Sequence, residues 1–171
     1  MIHLNIGSNI KSKFGCRFDN ITIAISLLLS AKVKIKKISN FYETPSYPNK
    51  RFPNYLNVGL LCSFYGNPEI LFKIIKSIEK KIGRFKTKKN DPRVCDIDII
   101  DYNSDIIKKD LITIPHPRCH LRNFVLYPIK QIDPNWIHPV LKQNVNFLIK
   151  KLDIKSRIEI TRLSKNVSIK L

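Results

Sequence analysis

Residues 92–102 read PRVCDIDIIDY, and within them Asp96 and Asp98, with one Ile between, are the pair in this chain best suited to chemistry. In an extended strand alternate side chains share a face, so both carboxylates project together while Cys95, Ile97 and Ile99 take the other side. Adjacent carboxylates repel, and a protein relieves that by sharing a proton between them or by binding a cation. The cation is the sharper alternative, and an Asp-x-Asp that only guards a strand edge is the plainer one. Asp101, three residues on, is expected to face away from both and to serve structure. Arg84, Arg93, Arg118 and Arg122 flank the doublet or the segment IPHPRCHLRN that follows it. A guanidinium grips carboxylate or phosphate, so a hard-cation site stands beside anion-binding groups. Zinc held by His116, His120 and Cys119 is disfavoured, because Pro117 keeps the two histidines off one helix and Cys119 is expected to face elsewhere.

Local pattern gives the elements that must hold these residues. MIHLNIGSNI alternates into a Gly-Ser-Asn turn, a strand. FDNITIAISLLLSAK predicts a helix to about Ser30 with Asp19 or Asn20 as its cap. KVKIKKISNFYET predicts one strand, and PSYPNKRFPN, with three of the ten prolines, an irregular exposed loop. YLNVGLLCSFY is the next strand. PEILFKIIKSIEKKIG predicts a helix with Pro68 in its first turn and Gly83 as its stop. Ile70, Leu71, Ile74, Ile75, Ile78 and Ile82 form its apolar face and Glu79 falls on the polar one. After the basic loop RFKTKKNDP come the strand CDIDIIDY, a short strand LITIPHP and a short helix in LRNFVLYPIKQI. The chain beyond Asn144 offers a further helix and a weak β pattern. The order β-α-β-β-α-β predicts an α+β, ferredoxin-like sheet with packed helices, built as one domain.

Composition bounds the function. The net charge of +18 admits nucleic acid, an anionic membrane surface or a polyanionic small substrate. Only eight of the 31 basic residues are Arg, and the Lys surplus accompanies abundant Ile and Asn, the mark of AT-rich codons. An RNA-recognition module of this layout needs exposed aromatics in a K/R-G-F/Y-G/A-F-V-x-F/Y strand, and no segment fits. No apolar run spans a bilayer, and a strand starting at Ile2 leaves no room for a leader. Four scattered cysteines without a C-x-x-C pair suit reduced thiols in a cytoplasm.

Four segments now line up: GSN at Gly7–Asn9, FYETP with NYLN, IGRFKTKKNDPRVCDIDIIDY, and IPHPRCHLRNFVLYP. In this order and spacing they resemble the 6-hydroxymethyl-7,8-dihydropterin pyrophosphokinase family over roughly Ile2 to Pro134. The resemblance implies transfer of the diphosphate of ATP to the hydroxymethyl group of a reduced pterin, releasing AMP, in folate synthesis by a cytoplasmic monomer. It implies that Asp96 and Asp98 hold two Mg2+ ions. Arg84 and Arg93 would belong to a loop closing over the phosphates, with Lys86 a further phosphate contact. His116 and Arg122 match phosphate contacts, Arg118 adds charge there, and Glu79, Ile99 and Thr113 match positions near the nucleotide. Tyr55 and Phe124 match aromatics that sandwich the pterin, Asn57 an amide reading its edge, and Thr44, Pro45 and Tyr47 the loop around the same ring. The chain departs from the family in KKND, where an aromatic or Arg often stands.

Overall fold

The computed structural model describes residues 1–85 and 91–167; Lys86 and most of the basic loop expected to close over phosphate lie outside the described residues. Strand β1 (Ile2–Ser8) is central, antiparallel to β4 (Tyr55–Ser63) on one side and to β5 (Asp96–Tyr102) on the other. Beyond β4 lie β2 (Lys34–Ile38) and β3 (Tyr42–Thr44), and β8 (Thr161–Arg162) extends the edge past β3. The order β5-β1-β4-β3-β8 places the fourth, first, third and second strands of the ferredoxin-like motif side by side.

The second strand of that motif is broken in two rather than continuous. Ser39 N–H donates to Gly59 O at 3.0 Å, but Gly59 N–H donates to the Ser39 hydroxyl at 2.9 Å. A side chain thus takes the bond that the backbone ladder would have taken, and pairing stops for three residues.

Helices α1 (Arg17–Ser30) and α2 (Pro68–Ile82) cover one face, where Ile2, Leu4, Ile6, Ile21, Ile25, Leu71, Ile75 and Ile97 share a core cluster. The first starts earlier than predicted. Its N-cap is Cys16, and Asp19 closes the capping box by accepting Cys16 N–H at 2.8 Å. The second has Pro68 in its first turn and stops at Gly83, φ +107°, as predicted, and its N-cap is Asn67, which accepts Ile70 N–H at 2.9 Å. Ile70 is exposed, however, and Glu79 is only 2% exposed rather than on a solvated face.

The opposite face is covered by α3 (Asn123–Ile132), which comes so near β4 that a Cβ on Gly59 would meet Pro128 Cβ at 2.7 Å. A register shift in β1–β5 pairing between His3 and Leu4 is a β-bulge that reverses the alternation of β5 beyond Ile99. Asp101 therefore points to the same side as Asp98, against expectation, and accepts Trp136 Nε1–H at 2.7 Å and Ser104 N–H at 2.9 Å. Its structural role stands. A hairpin of β6 (Ile107–Lys109) and β7 (Ile112–Ile114) leads to His116. After α3 the chain forms α4 (Val145–Lys151) and α5 (Ile154–Ile158) before β8. Among the described residues no helix is long and apolar enough to cross a membrane.

Candidate active site

Asp96 and Asp98 sit on one face of β5, across from Gly7 and Asn5 of β1, with 23% and 28% of their side-chain areas accessible. Arg84 NH1 donates to Asp96 Oδ1 at 2.5 Å and Arg93 NH1 to Oδ2 at 2.6 Å. Arg122 NH1 donates to Asp98 Oδ2 at 3.2 Å. Burial, and then the charge of Asp96, push the Asp98 carboxyl up to about 6. Desolvation and a like-charged neighbour thus outweigh the pull of Arg122 on Asp98.

The positioning is local and explicable. Past the left-handed Gly83, Arg84 N–H returns to Glu79 O at 2.9 Å and its guanidinium bridges Glu79 and Asp96. Glu79 also accepts Ile97 N–H at 2.8 Å and Lys76 Nζ at 2.8 Å, so it ties the end of α2 to the start of β5. Amphipathic periodicity misplaced it, because periodicity does not register a buried carboxylate that carries its own cations. Asn9 does the equivalent for Arg93. Its Oδ1 accepts Arg93 N–H at 2.6 Å, its N–H donates to Arg93 O at 3.0 Å, and its Nδ2 reaches Pro53 O at 3.2 Å. The Gly-Ser-Asn turn shows no task for Asn9 in the sequence, and its burial at 1% exposure with both side-chain polar groups engaged is what reveals one.

His116 stands at 3.9 Å from Asp98 and 3.3 Å from Arg122 NH1. Burial, then Arg122 and Arg118, lower its pKa to about 4, so the ring is neutral at pH 7. Its Nδ1 accepts Arg118 N–H at 3.1 Å, while its Nε2 faces Arg122 NH1 and the Asp98 carboxylate. Cys119, His120 and His138 bring ligand atoms within 4.8 Å of one another, contrary to the expectation that Cys119 faces elsewhere. His138 Nδ1 accepts the N–H groups of Val140 and Leu141, and burial pushes the Cys119 thiol up to about 12, so the thiol stands neutral and that ring nitrogen is already engaged.

The residues expected to hold a flat ring are divided. Asn57, 2% exposed, donates to Thr44 Oγ1 at 3.5 Å and lies across from Gly7 in the β1–β4 register. A Cβ on Gly7 would stand 3.1 Å from Asn57 Oδ1 and 3.7 Å from Tyr55 Cδ1, so the glycine lets both side chains close over β1. Tyr55 OH lies 3.5 Å from Asp91 O, and Phe124 lies under the Arg122 guanidinium, 5.4 Å from its ring centre. Pro45 is half-buried, while Tyr47 is 85% exposed and Thr113 is exposed on β7. Ile99 contributes its side chain to the apolar core, which leaves only its backbone for a ligand.

An α+β sheet presenting twin carboxylates ringed by arginines defines a protein of the phosphoryl-handling transferase class. The chain matches the 7,8-dihydro-6-hydroxymethylpterin-pyrophosphokinase family over residues 3–134 and belongs to it. It is 36% identical to a 2-amino-4-hydroxy-6-hydroxymethyldihydropteridine pyrophosphokinase of Aquifex aeolicus, over 83% of this chain and 86% of that one. It is 39% identical over 85% of its length to a folic acid synthesis protein of Dictyostelium discoideum, of which it spans only 22%. A Plasmodium falciparum HPPK-DHPS crystal structure with pteroate shares the fold at a TM-score of 0.72 and 15% identity, over 94% of this chain and 47% of that one. The family comprises pyrophosphokinases of folate biosynthesis, which use ATP as co-substrate.

Proposed function

We propose that this chain transfers the diphosphate of ATP to the hydroxymethyl group of 6-hydroxymethyl-7,8-dihydropterin, releasing AMP. The observation that carries the reading is the cluster of Asp96, Asp98, Arg84, Arg93, Arg122 and His116 in one place, within the family's matched segment. In the reaction the hydroxymethyl oxygen bonds to the β-phosphorus, the bond from that phosphorus to the oxygen bridging to the α-phosphate breaks, and the hydroxyl proton is lost.

Two partly accessible carboxylates on one strand face, one of them pushed up by burial and then by the other, are a donor set fit for Mg2+, which prefers oxygen. We assign two Mg2+ ions to Asp96 and Asp98; bound there, they would offset charge on the entering and leaving oxygens. Arg84, Arg93 and Arg122 balance the carboxylates in the structure described, and they are the cations within reach of phosphate when the carboxylates turn to metal. Arg93 takes the role of a contact that strengthens as charge shifts, and neutral His116 offers Nε2–H to a phosphate oxygen. Asn57 and Thr44 present hydrogen-bonding groups to the pterin edge, and Tyr55 and Phe124 present faces to its ring. The same reading has the protein act as a cytoplasmic monomer on small molecules, without nucleic acid or membrane.

The test is AMP release with ATP, Mg2+ and the reduced pterin, paired with single-turnover rates for Arg93→Ala. The variant is expected to lose about a hundredfold in the chemical step with a much smaller loss of ATP affinity, and Arg93→Lys to recover part. Absence of AMP release from the unaltered protein overturns the reading; equal losses of rate and affinity make Arg93 a ground-state binding group. A basic RNA-binding module, the rival use of this sheet, would ignore an ATP analogue with Mg2+ in a calorimeter.

A further inference from the structure

Residues 153–167 lie wholly beyond the 3–134 segment of the family match, yet they touch both walls of the proposed acceptor pocket. On one wall, Ser156 O accepts Asn123 Nδ2–H at 2.6 Å. Asn123, 8% exposed, in turn accepts Phe124 N–H at 2.6 Å, so the strap holds the first turn of the helix carrying that aromatic. On the other wall, β8 pairs with β3, setting Arg162 against Tyr42 and Thr161 against Glu43, and Leu163 N–H donates to Phe41 O at 2.8 Å. Strand β3 ends in Thr44, and Lys50 in the loop that follows it pairs with Glu159 of the strap at 2.5 Å.

The walls meet at Asn40. Its Oδ1 accepts from Arg162 Nε at 3.1 Å, from Arg162 NH2 at 2.7 Å and from Gln131 Nε2 of α3. Gln131 Oε1 accepts Asn40 N–H at 3.1 Å and Tyr42 OH at 3.0 Å, and Asn40 Nδ2 donates to Asn166. One carbonyl oxygen with three donors from two distant segments does more than cover a sheet edge; it fixes α3 against β3. Tyr42 lies across from Asn57 in the β3–β4 register, so the network borders the amide assigned to the pterin.

We propose that the strap 153–167 is part of the framework of the acceptor pocket, and that Arg162 is a positioning residue for the flat reduced pterin. The inference rests on the function proposed above. Arg162 touches neither the carboxylates nor the arginines of the diphosphate end, so its loss acts on one substrate only. It is an exposed side chain, and its replacement leaves the core untouched.

The experiment uses the full chain with Arg162→Ala and Arg162→Lys, and measures binding of 6-hydroxymethyl-7,8-dihydropterin in the presence of Mg2+ and a non-hydrolysable ATP analogue. Binding of the analogue alone is measured beside it. Arg162→Ala is expected to weaken pterin binding about fivefold, raise KM for pterin with kcat nearly unchanged, and leave analogue affinity as it was. The lysine variant should recover part of the loss, since it supplies a donor without the fork. Unchanged pterin affinity in the alanine variant, or equal weakening of both ligands, overturns the positioning role. An unaltered protein that binds the analogue but no pterin overturns the functional reading, and this inference with it.

Discussion

On one side of β1, Ile2, Leu4 and Ile6 are each at most 1% exposed against α1 and α2; on the other, His3, Asn5 and Gly7 face α3 and the carboxylates. Both sides are buried, but they are buried for different ends. The first gains from removing apolar area from water, about 25 cal/mol per Å2. The second keeps polar atoms out of water at a cost: His3 Nδ1 and Asn5 Oδ1 have no hydrogen-bond partner among the described residues, and Asp98 is raised by burial and then by Asp96. A single alternating strand thus separates the part of the molecule that stabilises it from the part that is held ready at stability's expense.

Substitutions on the two sides should therefore fail differently. The largest effect expected is from Asp96→Asn, which should lower AMP release about a hundredfold or more while circular dichroism and melting stay near those of the unaltered protein. Rates near normal would remove Asp96 from the site. On the opposite side, Leu4→Ala should cost about 2–5 kcal/mol in denaturant unfolding, with the rate per folded molecule preserved. A rate that falls in step with stability would mean the two faces are not independent.

The smallest effect, and the sharpest test of the contrast, is that Asp98→Asn should stabilise the ligand-free protein. Because the folded state raises this carboxyl from 3.8 to about 6, the unfolded chain releases its proton first as pH rises. The resulting penalty is complete above pH about 6 and gone below the unfolded value. Unfolding at pH about 8 should show a gain of roughly 1–3 kcal/mol in the variant, vanishing near pH about 3. No gain at the higher pH would show that Arg122 already balances the charge.

The carboxylate face was legible because the period-two pattern and the Asp-x-Asp are both local. So were α2 with Pro68 at its start and Gly83 at its stop, and the strand order that follows from β-α-β-β-α-β. What escaped depended on partners distant in sequence. Glu79 looked solvated until Arg84 and Ile97 came back to it, and Asp101 looked turned away until the bulge opposite His3 and Leu4 reversed β5. The split between β2 and β3 hangs on one hydroxyl, Ser39, which no propensity singles out. Strand β8 is two residues long and is recruited by a neighbouring edge, so its own sequence carries almost no pattern.

The register places Asn57, Gly7 and Asp96 in one row across three adjoining strands. Neighbouring strands stand about 4.8 Å apart, so the backbones beneath the Asn57 amide and the first carboxylate are separated by roughly 10 Å. That span is a ladder of backbone hydrogen bonds, among the stiffest gauges a protein can make. Under the proposed assignments it measures the acceptor: a heterocycle whose hydroxyl rides on a longer or shorter arm would dock its edge correctly and still present its oxygen out of line. Selectivity of this kind resides in a length rather than in any one contact, and retuning it would take a change of strand register instead of a change of side chain.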